Sequence, residues 1–185
     1  RAVLVTGASR GVGRAVAVAF AAAGDRVAVH HRDSAALAVE TVGLLDGDGH
    51  VVVRGDLADP DAVAGFVAAA ATGLGGIDVL VNNAASIQPH PVGEVTYEQW
   101  QAAWRRTVEV NLLGTANVTF CALPFLRRSD AGRIVNVSAR SAFRGEPEQP
   151  AYGASKAGLN AFGQSLAVAL GADGIAVSTV APGFI

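Results

Sequence analysis

The fold is decided by the stretch AVLVTGASRGVG at residues 2–13. A short apolar run is followed by a glycine-rich turn and then by an Ala/Val-rich amphipathic segment that continues to Gly24. This order predicts a strand, a tight turn and a helix. Glycines let the backbone approach a pyrophosphate, and free N–H groups at the start of a helix attract the anion. The turn is therefore a candidate phosphate site, although its spacing is G-x-x-x-G-x-G and not the commoner G-x-G-x-x-G.

Strands and helices alternate along the rest of the chain. Six strands that alternate with helices, without hairpin signals, require a parallel sheet covered on both faces. The predicted fold class is therefore α/β, a doubly wound, Rossmann-like parallel sheet in a single domain over residues 1–185. After the first strand, strands are predicted at Arg26–His31, 50–54, 77–81, Arg133–Val137 and 175–180. Helices are predicted over 34–45, from Pro60 to about residue 72 with Asp59 as N-cap, over 96–125, and around Tyr152.

The composition excludes several classes of function. Hydrophobic residues make up 51% of the chain and charged residues 16%, and the formal charge is -2, so neither nucleic-acid binding nor a disordered acidic tail is predicted. The single cysteine, Cys121, excludes an internal disulfide framework and a multi-cysteine metal site, and is interpreted as a small buried residue. No apolar run reaches the ~18 residues of a membrane helix. We therefore expect a cytoplasmic protein with no metal site and no membrane contact.

Both ends of the chain coincide with predicted strands. The sequence begins at Arg1 directly on a strand and stops at Ile185 just after another. A sixth strand at the border of the sheet would be an open apolar edge, which is an aggregation hazard. We therefore expect the natural chain to be longer at both ends, with a further C-terminal strand and lid.

A competing motif lies within the glycine-rich turn. Residues 7–11 also satisfy G-x-S-x-G, the nucleophile elbow of α/β-hydrolases, in the required strand-turn-helix setting. In that fold an acid and a histidine follow the serine, whereas His30 and His31 lie on the next strand without an obvious acid partner. A serine hydrolase that uses Ser9 is therefore kept as a third candidate function, although it gives Gly13 no role.

The end of the second strand predicts the choice of cofactor. Domains that bind a nicotinamide dinucleotide commonly place an acid there to hold the adenosine ribose. Here His31 and Arg32 occupy this place. A guanidinium without a carboxylate favours a 2'-phosphate, so NADP is predicted over NAD, with Arg10 as a second phosphate contact. Asp33 acts against this prediction, and an ordinary polar strand end is the alternative.

Polar residues also follow the third and fourth strands. Asp56 lies at the carboxyl edge, where ligands gather in such sheets, and is a candidate contact for the adenine. The amides of Asn82 and Asn83 could bridge strands and border the ribose, with an ordinary Asn turn as the alternative. Both segments thus belong to the predicted ligand edge of the sheet.

The segment Tyr152-Gly153-Ala154-Ser155-Lys156 places a phenol and an ammonium on one face of a predicted helix. A phenol has a reference pKa of about 10, and lowering it by ~3 units takes about 4 kcal/mol of preferential stabilisation of the phenolate. A neighbouring ammonium supplies part of this stabilisation of the phenolate. So short a motif also fits a solvated Tyr and Lys, so its interpretation depends on the rest of the chain.

The long predicted helix carries two further features. Trp100 and Trp104 are spaced i, i+4, as in a packed face and not as in a ligand cage. Asn111 interrupts the apolar stripe, and a polar residue there needs a partner when buried. Asn111 is therefore either a satisfied core amide or part of a water-linked relay.

The order of these motifs resembles the short-chain dehydrogenase/reductase family over residues 1–185. The chain looks most like the NADPH-dependent ketone reductases of that family, the 3-oxoacyl carrier-protein reductase type included. This implies an oxidoreductase that transfers a hydride between NADP(H) and a carbonyl or secondary alcohol. The residues that carry the resemblance are Thr6-Gly7 with Gly11 and Gly13, Asp56, Asn82-Asn83-Ala84, Asn111, Tyr152 with Lys156, and Pro182-Gly183.

The resemblance also implies roles for individual residues. Tyr152 would protonate the developing alkoxide, or act as the base in reverse; Lys156 would lower its pKa and bond the nicotinamide ribose; Asn111 would hold a water that links Lys156 to solvent. A homodimer or homotetramer and a small-molecule substrate are also implied. The implied cofactor contacts are Gly7, Ser9, Arg10, Gly11, Val12, Gly13, His31, Arg32, Asp56, Leu57, Asn83, Ala84, Tyr152, Lys156, Pro182, Gly183 and Ile185.

Two residues depart from the family pattern. Ala85 stands where the family has glycine, which removes backbone freedom beside the cofactor. Ala139 stands where the family has the serine that hydrogen-bonds the substrate oxygen. Ser141 and Ser138 are the candidate substitutes, and Ser141 is ranked first although its loop would need to fold back. A cofactor-binding protein with weak or no catalysis is therefore the second candidate function.

Overall fold

The computed structural model describes residues 1–183, and its centre is a sheet of six parallel strands. The strands are β1 (Ala2–Val5), β2 (Arg26–His31), β3 (Val51–Arg54), β4 (Val79–Asn82), β5 (Arg133–Val137) and β6 (Ala176–Val180). Their order in the sheet is β3-β2-β1-β4-β5-β6, so the chain moves outward in one direction from β1 and in the other from β4. The loops after β1 and β4 therefore diverge and leave a crevice at the carboxyl edge, where ligands bind in such sheets.

Helices connect the strands throughout the described residues. The α-helices are α1 (Gly11–Ala22), α2 (Ala35–Val42), α3 (Pro60–Leu74), α4 (Tyr97–Val108), α5 (Thr115–Leu126) and α6 (Pro150–Leu170). A π-helical segment (Glu109–Gly114) joins α4 to α5, and short 3-10 turns cover Arg140–Ala142 and Gly171–Asp173.

The helices cover both faces of the sheet. On one face α1 and α2 bury Ala17 and Ala38 against the strands, and on the other α3, α5 and α6 bury Phe66, Val118 and Leu170. All residues of β1 and β4 are buried, as expected for central strands of a parallel sheet with two covered faces. The predicted fold class, a doubly wound Rossmann-like sheet, is confirmed.

Local sequence signals set the start of α3 correctly. The Asp59 carboxylate accepts hydrogen bonds from two backbone N–H groups of the first turn, at 3.0 and 3.2 Å, and Pro60 is the first helical residue. The helix predicted over 34–45 is shorter and covers Ala35–Val42, because the N–H groups of Leu44 and Leu45 bond to carbonyls three residues back, which tightens the chain into a turn.

The helix predicted over 96–125 is continuous but not uniform. It spans Tyr97–Leu126, with the π-helical segment Glu109–Gly114 at its middle. Gly114 lets this segment approach the loop after β3, since a Cβ atom built there would lie 2.4 Å from the carbonyl oxygen of Leu57. The interruption therefore occurs where the helix contacts the ligand edge of the sheet.

The same helical stretch bears on the expectation of no membrane contact. Among the described residues Tyr97–Leu126 is the one helix long and apolar enough to cross a membrane by length and composition, with a mean hydropathy of 1.2 in an 18-residue window. It packs on α3, α6 and β4 in the folded protein, and 39% of this window is buried. Buried apolar residues of this stretch, such as Val118 and Leu126, thus have partners within the domain, whereas Phe120 is exposed.

Candidate active site

Two adjoining cavities lie at the carboxyl edge of the sheet. The larger, of about 560 Å³, is bounded by the glycine-rich turn and by the ends of β2 and β3, and the smaller, of about 350 Å³, lies beside α6. The larger brings together twelve of the predicted cofactor residues, namely Gly7, Ser9, Arg10, Gly11, Val12, Gly13, His31, Arg32, Asp56, Leu57, Asn83 and Ala84.

The smaller cavity gathers the remaining predicted residues, apart from two. It is lined by Ser138, Ser141, Tyr152, Lys156, Pro182 and Gly183, and Ala139 forms part of its wall. Asn111 is buried and is not among the lining residues of either cavity, and Ile185 lies outside the described residues. The two cavities meet along a shared wall formed by Val12, Asn83, Ala85 and Ile87.

The glycine-rich turn needs glycine for two separate reasons. Gly7 and Gly11 have φ values of +66° and +57°, in the left-handed region that other residues rarely adopt. Gly13 has an ordinary φ, but a Cβ atom there would lie 2.4 Å from the Gly7 carbonyl oxygen and 2.5 Å from Nδ2 of Asn83. The third glycine is thus required by close packing of α1 on the turn.

His30 holds the turn in place, a role that the sequence did not reveal. Its Nδ1 accepts a hydrogen bond from the N–H of Gly7 at 3.0 Å, and its Nε2–H donates to the carbonyl of Gly55 at 3.0 Å. The ring packs on Phe66, with centroids 4.4 Å apart. Burial lowers the pKa of His30 to about 4, so the imidazole is neutral and can accept from Gly7. In the sequence, the pair of consecutive histidines at the end of an apolar strand was the available signal of this role.

The turn is also joined to the end of β4. Thr6 Oγ1 accepts hydrogen bonds from the N–H groups of Asn83 and Ala84, at 2.9 and 3.0 Å. The Asn83 side-chain amide donates to the carbonyls of Thr6 and Gly7, and Asn82 donates to Asn136 of β5 at 2.9 Å. The prediction that these amides bridge strands is confirmed.

The end of β2 presents positive charge beside an unsatisfied ring nitrogen. Arg32 lies on the rim of the larger cavity and pairs with its neighbour Asp33, and both side chains are more than half exposed. His31 is buried, and its Nδ1 has no hydrogen-bond partner among the described residues. Burial is also the main cause of a lowered pKa for His31.

Asp56, the candidate adenine contact, is already engaged by the protein. Its carboxylate accepts from the N–H of Ala58 at 3.0 Å and from the guanidinium of Arg106 at 2.9 and 3.1 Å. Burial opposes ionisation of Asp56, but these two partners together lower its pKa. Arg106 was not foreseen, because it lies 50 residues away on α4.

Tyr152 and Lys156 lie side by side at the start of α6. The Nζ atom of Lys156 is 5.6 Å from the centroid of the Tyr152 ring and donates to the carbonyl of Val137 at 2.6 Å. Burial lowers the pKa of Lys156 to about 8. Burial raises the pKa of Tyr152, which reverses the shift expected from the sequence, because desolvation of the phenolate is the dominant effect.

Asn111 is a satisfied core amide. Its Oδ1 accepts from the N–H of Ser86 at 2.7 Å, while Nδ2 donates to the Ser86 carbonyl at 3.0 Å and to Ser155 Oγ at 3.1 Å. The side chain therefore joins the loop after β4 to α6. The water-linked relay remains a prediction.

The two serines beside Ala139 are placed differently from each other. Ser138 is buried, and its hydroxyl donates to the carbonyl of Lys156 at 3.3 Å. Ser141 lies in the turn Arg140–Ala142, which does fold back, since its carbonyl would contact a Cβ atom at Gly153. The Ser141 hydroxyl is shielded from solvent and has no hydrogen-bond partner among the described residues. Ala139 itself is extended, with φ -159°.

The hydrolase interpretation of Ser9 gains no support from the geometry. Within residues 1–183 no histidine forms a hydrogen bond with its hydroxyl. Its carbonyl accepts instead from the guanidinium of Arg14 at 2.8 Å. Arg14 thereby ties α1 to the turn, a further contact that sequence reasoning missed.

A parallel sheet in this order, with a glycine turn where the strand order reverses and a Tyr–Lys pair beyond it, defines a protein of the dinucleotide-binding Rossmann class. The chain belongs to the short-chain dehydrogenase family, whose model, described as "short chain dehydrogenase", matches residues 1–185. The family assignment predicted from the motifs is confirmed.

Similar proteins come from several bacteria. The chain is 35% identical over 184 residues to a 3-oxoacyl-[acyl-carrier-protein] reductase of Synechocystis sp., covering 98% of this chain and 73% of that protein. It is 38% identical over 188 residues to an L-rhamnose 1-dehydrogenase (NAD(P)(+)) of Sphingomonas sp., and the match covers 100% of this chain and 72% of that protein. A crystal structure of a short chain dehydrogenase from Burkholderia cenocepacia J2315 in complex with NADP matches with a TM-score of 0.88 and 35% identity, covering 99% and 74%.

Proposed function

We propose that the protein is an NADP(H)-dependent reductase that transfers a hydride between the dinucleotide and a carbonyl or secondary alcohol, with Tyr152 as general acid or base. The observation that carries this proposal is the position of Tyr152 and Lys156 in a cavity that adjoins the one formed by the glycine turn. A ligand on the turn and a substrate beside Tyr152 would then be in contact. The names of the similar reductase and dehydrogenases, and the NADP complex of the Burkholderia protein, support the same function.

The residues of the larger cavity fit a dinucleotide that carries a 2'-phosphate. α1 begins without a side-chain cap and without an acidic residue in its first turn, so its N–H groups can bind a pyrophosphate. Arg10 and Arg32 add two guanidinium groups, and the unpaired Nδ1 of His31 is a polar atom in need of a partner. NAD is the alternative cofactor, because Asp33 competes for Arg32.

The dinucleotide would supply the hydride that adds to the carbonyl carbon. The Tyr152 hydroxyl would give its proton to the carbonyl oxygen as the alkoxide develops, and would take it back in the opposite direction. A raised pKa keeps the phenol protonated until the alkoxide, a much stronger base, appears. The tyrosine is thus suited to the acid role in the reductive direction.

Lys156 would support this proton transfer electrostatically. Its contact with the Val137 carbonyl fixes the ammonium beside the ring of Tyr152. With a pKa of about 8 it is mostly protonated at neutral pH, so its charge would stabilise the phenolate that remains after transfer. Its remaining N–H donors would bind the ribose hydroxyls of the dinucleotide.

The two tyrosines of the chain provide the test. Tyr152→Phe should lower turnover by about 10² to 10⁴ because the proton donor is lost, while NADPH binding is kept. Tyr97→Phe is the matched control, since Tyr97 is 76% exposed on α4 and should leave turnover unchanged. NADPH oxidation with a panel of ketones and aldehydes, together with tryptophan quenching for binding, measures both. Equal turnover of Tyr152→Phe and the wild type, with NADPH bound, would refute the proposal.

A cofactor-binding protein with weak catalysis is the second candidate function, and one observation favours it. The cavity wall has Ala139 in place of a hydroxyl, the Ser138 hydroxyl donates to the Lys156 carbonyl, and the Ser141 hydroxyl is shielded from solvent. Loss of one donor to a developing oxyanion costs about 10² to 10³ in rate. Ala139→Ser should therefore raise kcat if the site is catalytic, and no increase would favour the binding protein.

Three further expectations belong to this proposal. A small carbonyl or alcohol is the substrate, and the cytoplasm is the place of action. A homodimer or homotetramer is supported by apolar side chains on the outer faces of α5 and α6, where Phe120 is 75% and Val168 is 86% exposed. Size-exclusion chromatography with light scattering tests the oligomer directly.

A further inference from the structure

α6, which carries Tyr152 in its first turn, begins without a cap of its own. The N-cap residue is Gln149, whose side chain makes no capping hydrogen bond, and Pro150 at the first position has no N–H. The first donor of the helix is therefore the N–H of Ala151. A free N–H at a buried helix start is unfavourable, so this group needs an acceptor from elsewhere.

His90 supplies that acceptor from the loop after β4. Its Nε2 accepts from the N–H of Ala151 at 3.2 Å, and its Nδ1–H donates to the carbonyl of Gln88 at 2.6 Å. The backbone N–H of His90 donates to the carbonyl of Glu148 at 2.7 Å, and Glu148 lies just before the helix. One residue thus holds the approach to α6 and its first turn, 61 positions along the chain from Ala151.

The ring is fixed on its other sides by aromatic residues. His90 is 1% exposed and packs edge-on against Trp100 and Trp104, with centroid distances of 5.4 and 6.5 Å. The two hydrogen bonds require the neutral tautomer with the proton on Nδ1, because Nε2 must accept. A rigid ring of one tautomer can define the position of the helix start.

We propose that His90 is a positioning residue for catalysis, which sets the place of Tyr152 by capping α6 through Ala151. The inference rests on the proposed function of Tyr152 and adds a residue that touches neither the cofactor nor the substrate. The same loop carries Ile87 in the wall of both cavities, so His90 also connects that wall to the helix. Misplacement of a reacting group by about 1 Å can cost about 10² in rate, so a small shift of the helix start matters.

Kinetics on paired variants test this role. His90→Asn keeps a donor for Gln88 but cannot reach Ala151, and should lower kcat about tenfold with KM for NADPH unchanged. His90→Gln can place its carbonyl oxygen where Nε2 lies, and should recover kcat to within about threefold of the wild type. His50→Asn is the control, because His50 makes a similar pair of hydrogen bonds at the opposite edge of the sheet. It accepts from the N–H of Val27 at 3.1 Å and bonds to the carbonyl of Asp46 at 3.0 Å. His50→Asn should lower stability without lowering kcat per folded molecule.

A measurement on the wild-type protein keeps the proposal testable if His90→Asn does not fold. Nitrogen-15 NMR should show neutral His90 with its proton on Nδ1, and the amide of Ala151 should exchange slowly with solvent. A proton on Nε2 would overturn the proposal, as would equal kcat in His90→Asn and His50→Asn or equal losses in His90→Asn and His90→Gln. The NMR and exchange results do not depend on turnover, so they stand apart from a failure of the Tyr152 proposal.

Discussion

A single imidazole joins the ends of three neighbouring strands at the cofactor cavity. His30 lies on β2, accepts from Gly7 after β1 and donates to Gly55 after β3. Protonation would remove the acceptor for Gly7 and place a charge in a buried site. The neutral form of this residue is therefore part of the folded state.

Stability should for this reason depend on pH above the range in which carboxylates titrate. His30 has a pKa of about 4 when folded and about 6.5 when unfolded, so the unfolded chain binds more protons between these values. The contribution of His30 to the free energy of unfolding should be constant above pH ~6.5 and fall by about 3 kcal/mol as the pH drops to about 4. Urea denaturation at several pH values measures this, and His30→Asn should flatten the slope. A slope of equal size in both proteins would contradict the prediction.

At the residue scale, the sequence predicted which side chains meet but not how each is held. Tyr152 and Lys156 were predictable because their spacing on one helix is a local property. The partner of Asp56 was not, because Arg106 comes from a distant helix. The direction of the Tyr152 pKa shift was also missed, since burial depends on the packing of the whole site.

At the scale of elements, the π-helical segment Glu109–Gly114 couples a long helix to the cofactor cavity. Gly114 packs against the backbone of Leu57, and Asn111 binds Ser86 in the loop after β4. The succession of strands and helices along the chain followed from the alternation of apolar runs, and Asp59 was predictable as the cap of α3 because capping is local. The π segment could not be predicted, since it depends on contacts between residues far apart in the chain.

A pair of glycine substitutions tests this coupling. Gly114→Ala would place a Cβ atom 2.4 Å from the Leu57 carbonyl oxygen and should lower the free energy of unfolding by about 1–3 kcal/mol and weaken NADPH binding. Gly65→Ala, within α3, meets no atom within 4 Å and should raise stability by about 0.5–1 kcal/mol. Chemical denaturation and NADPH titration measure both variants. Equal stability of the two would show that the close contact at Gly114 has no energetic weight.

At the scale of the whole molecule, cofactor binding should stabilise the fold according to cofactor identity. A ligand at 100 times its Kd adds about 2.7 kcal/mol to the free energy of unfolding. We expect NADPH to raise Tm more than NADH does at equal concentration, because Arg32 can contact a 2'-phosphate. Arg32→Ala should remove most of this difference and Asp33→Asn should increase it, since Asp33 competes for the guanidinium. Equal increases of Tm with NADPH and with NADH in the wild-type protein would favour NAD as the cofactor.

The two cavities share a wall, and this arrangement has a kinetic consequence. The wall is formed by Val12, Asn83, Ala85 and Ile87. A dinucleotide bound first in the larger cavity would close one side of the smaller cavity, in which the ketone binds. A ketone that binds first would find the smaller cavity still open on that side. Steady-state measurements should then follow a compulsory sequence of addition, with the oxidised and reduced coenzymes competing for the same free form of the protein.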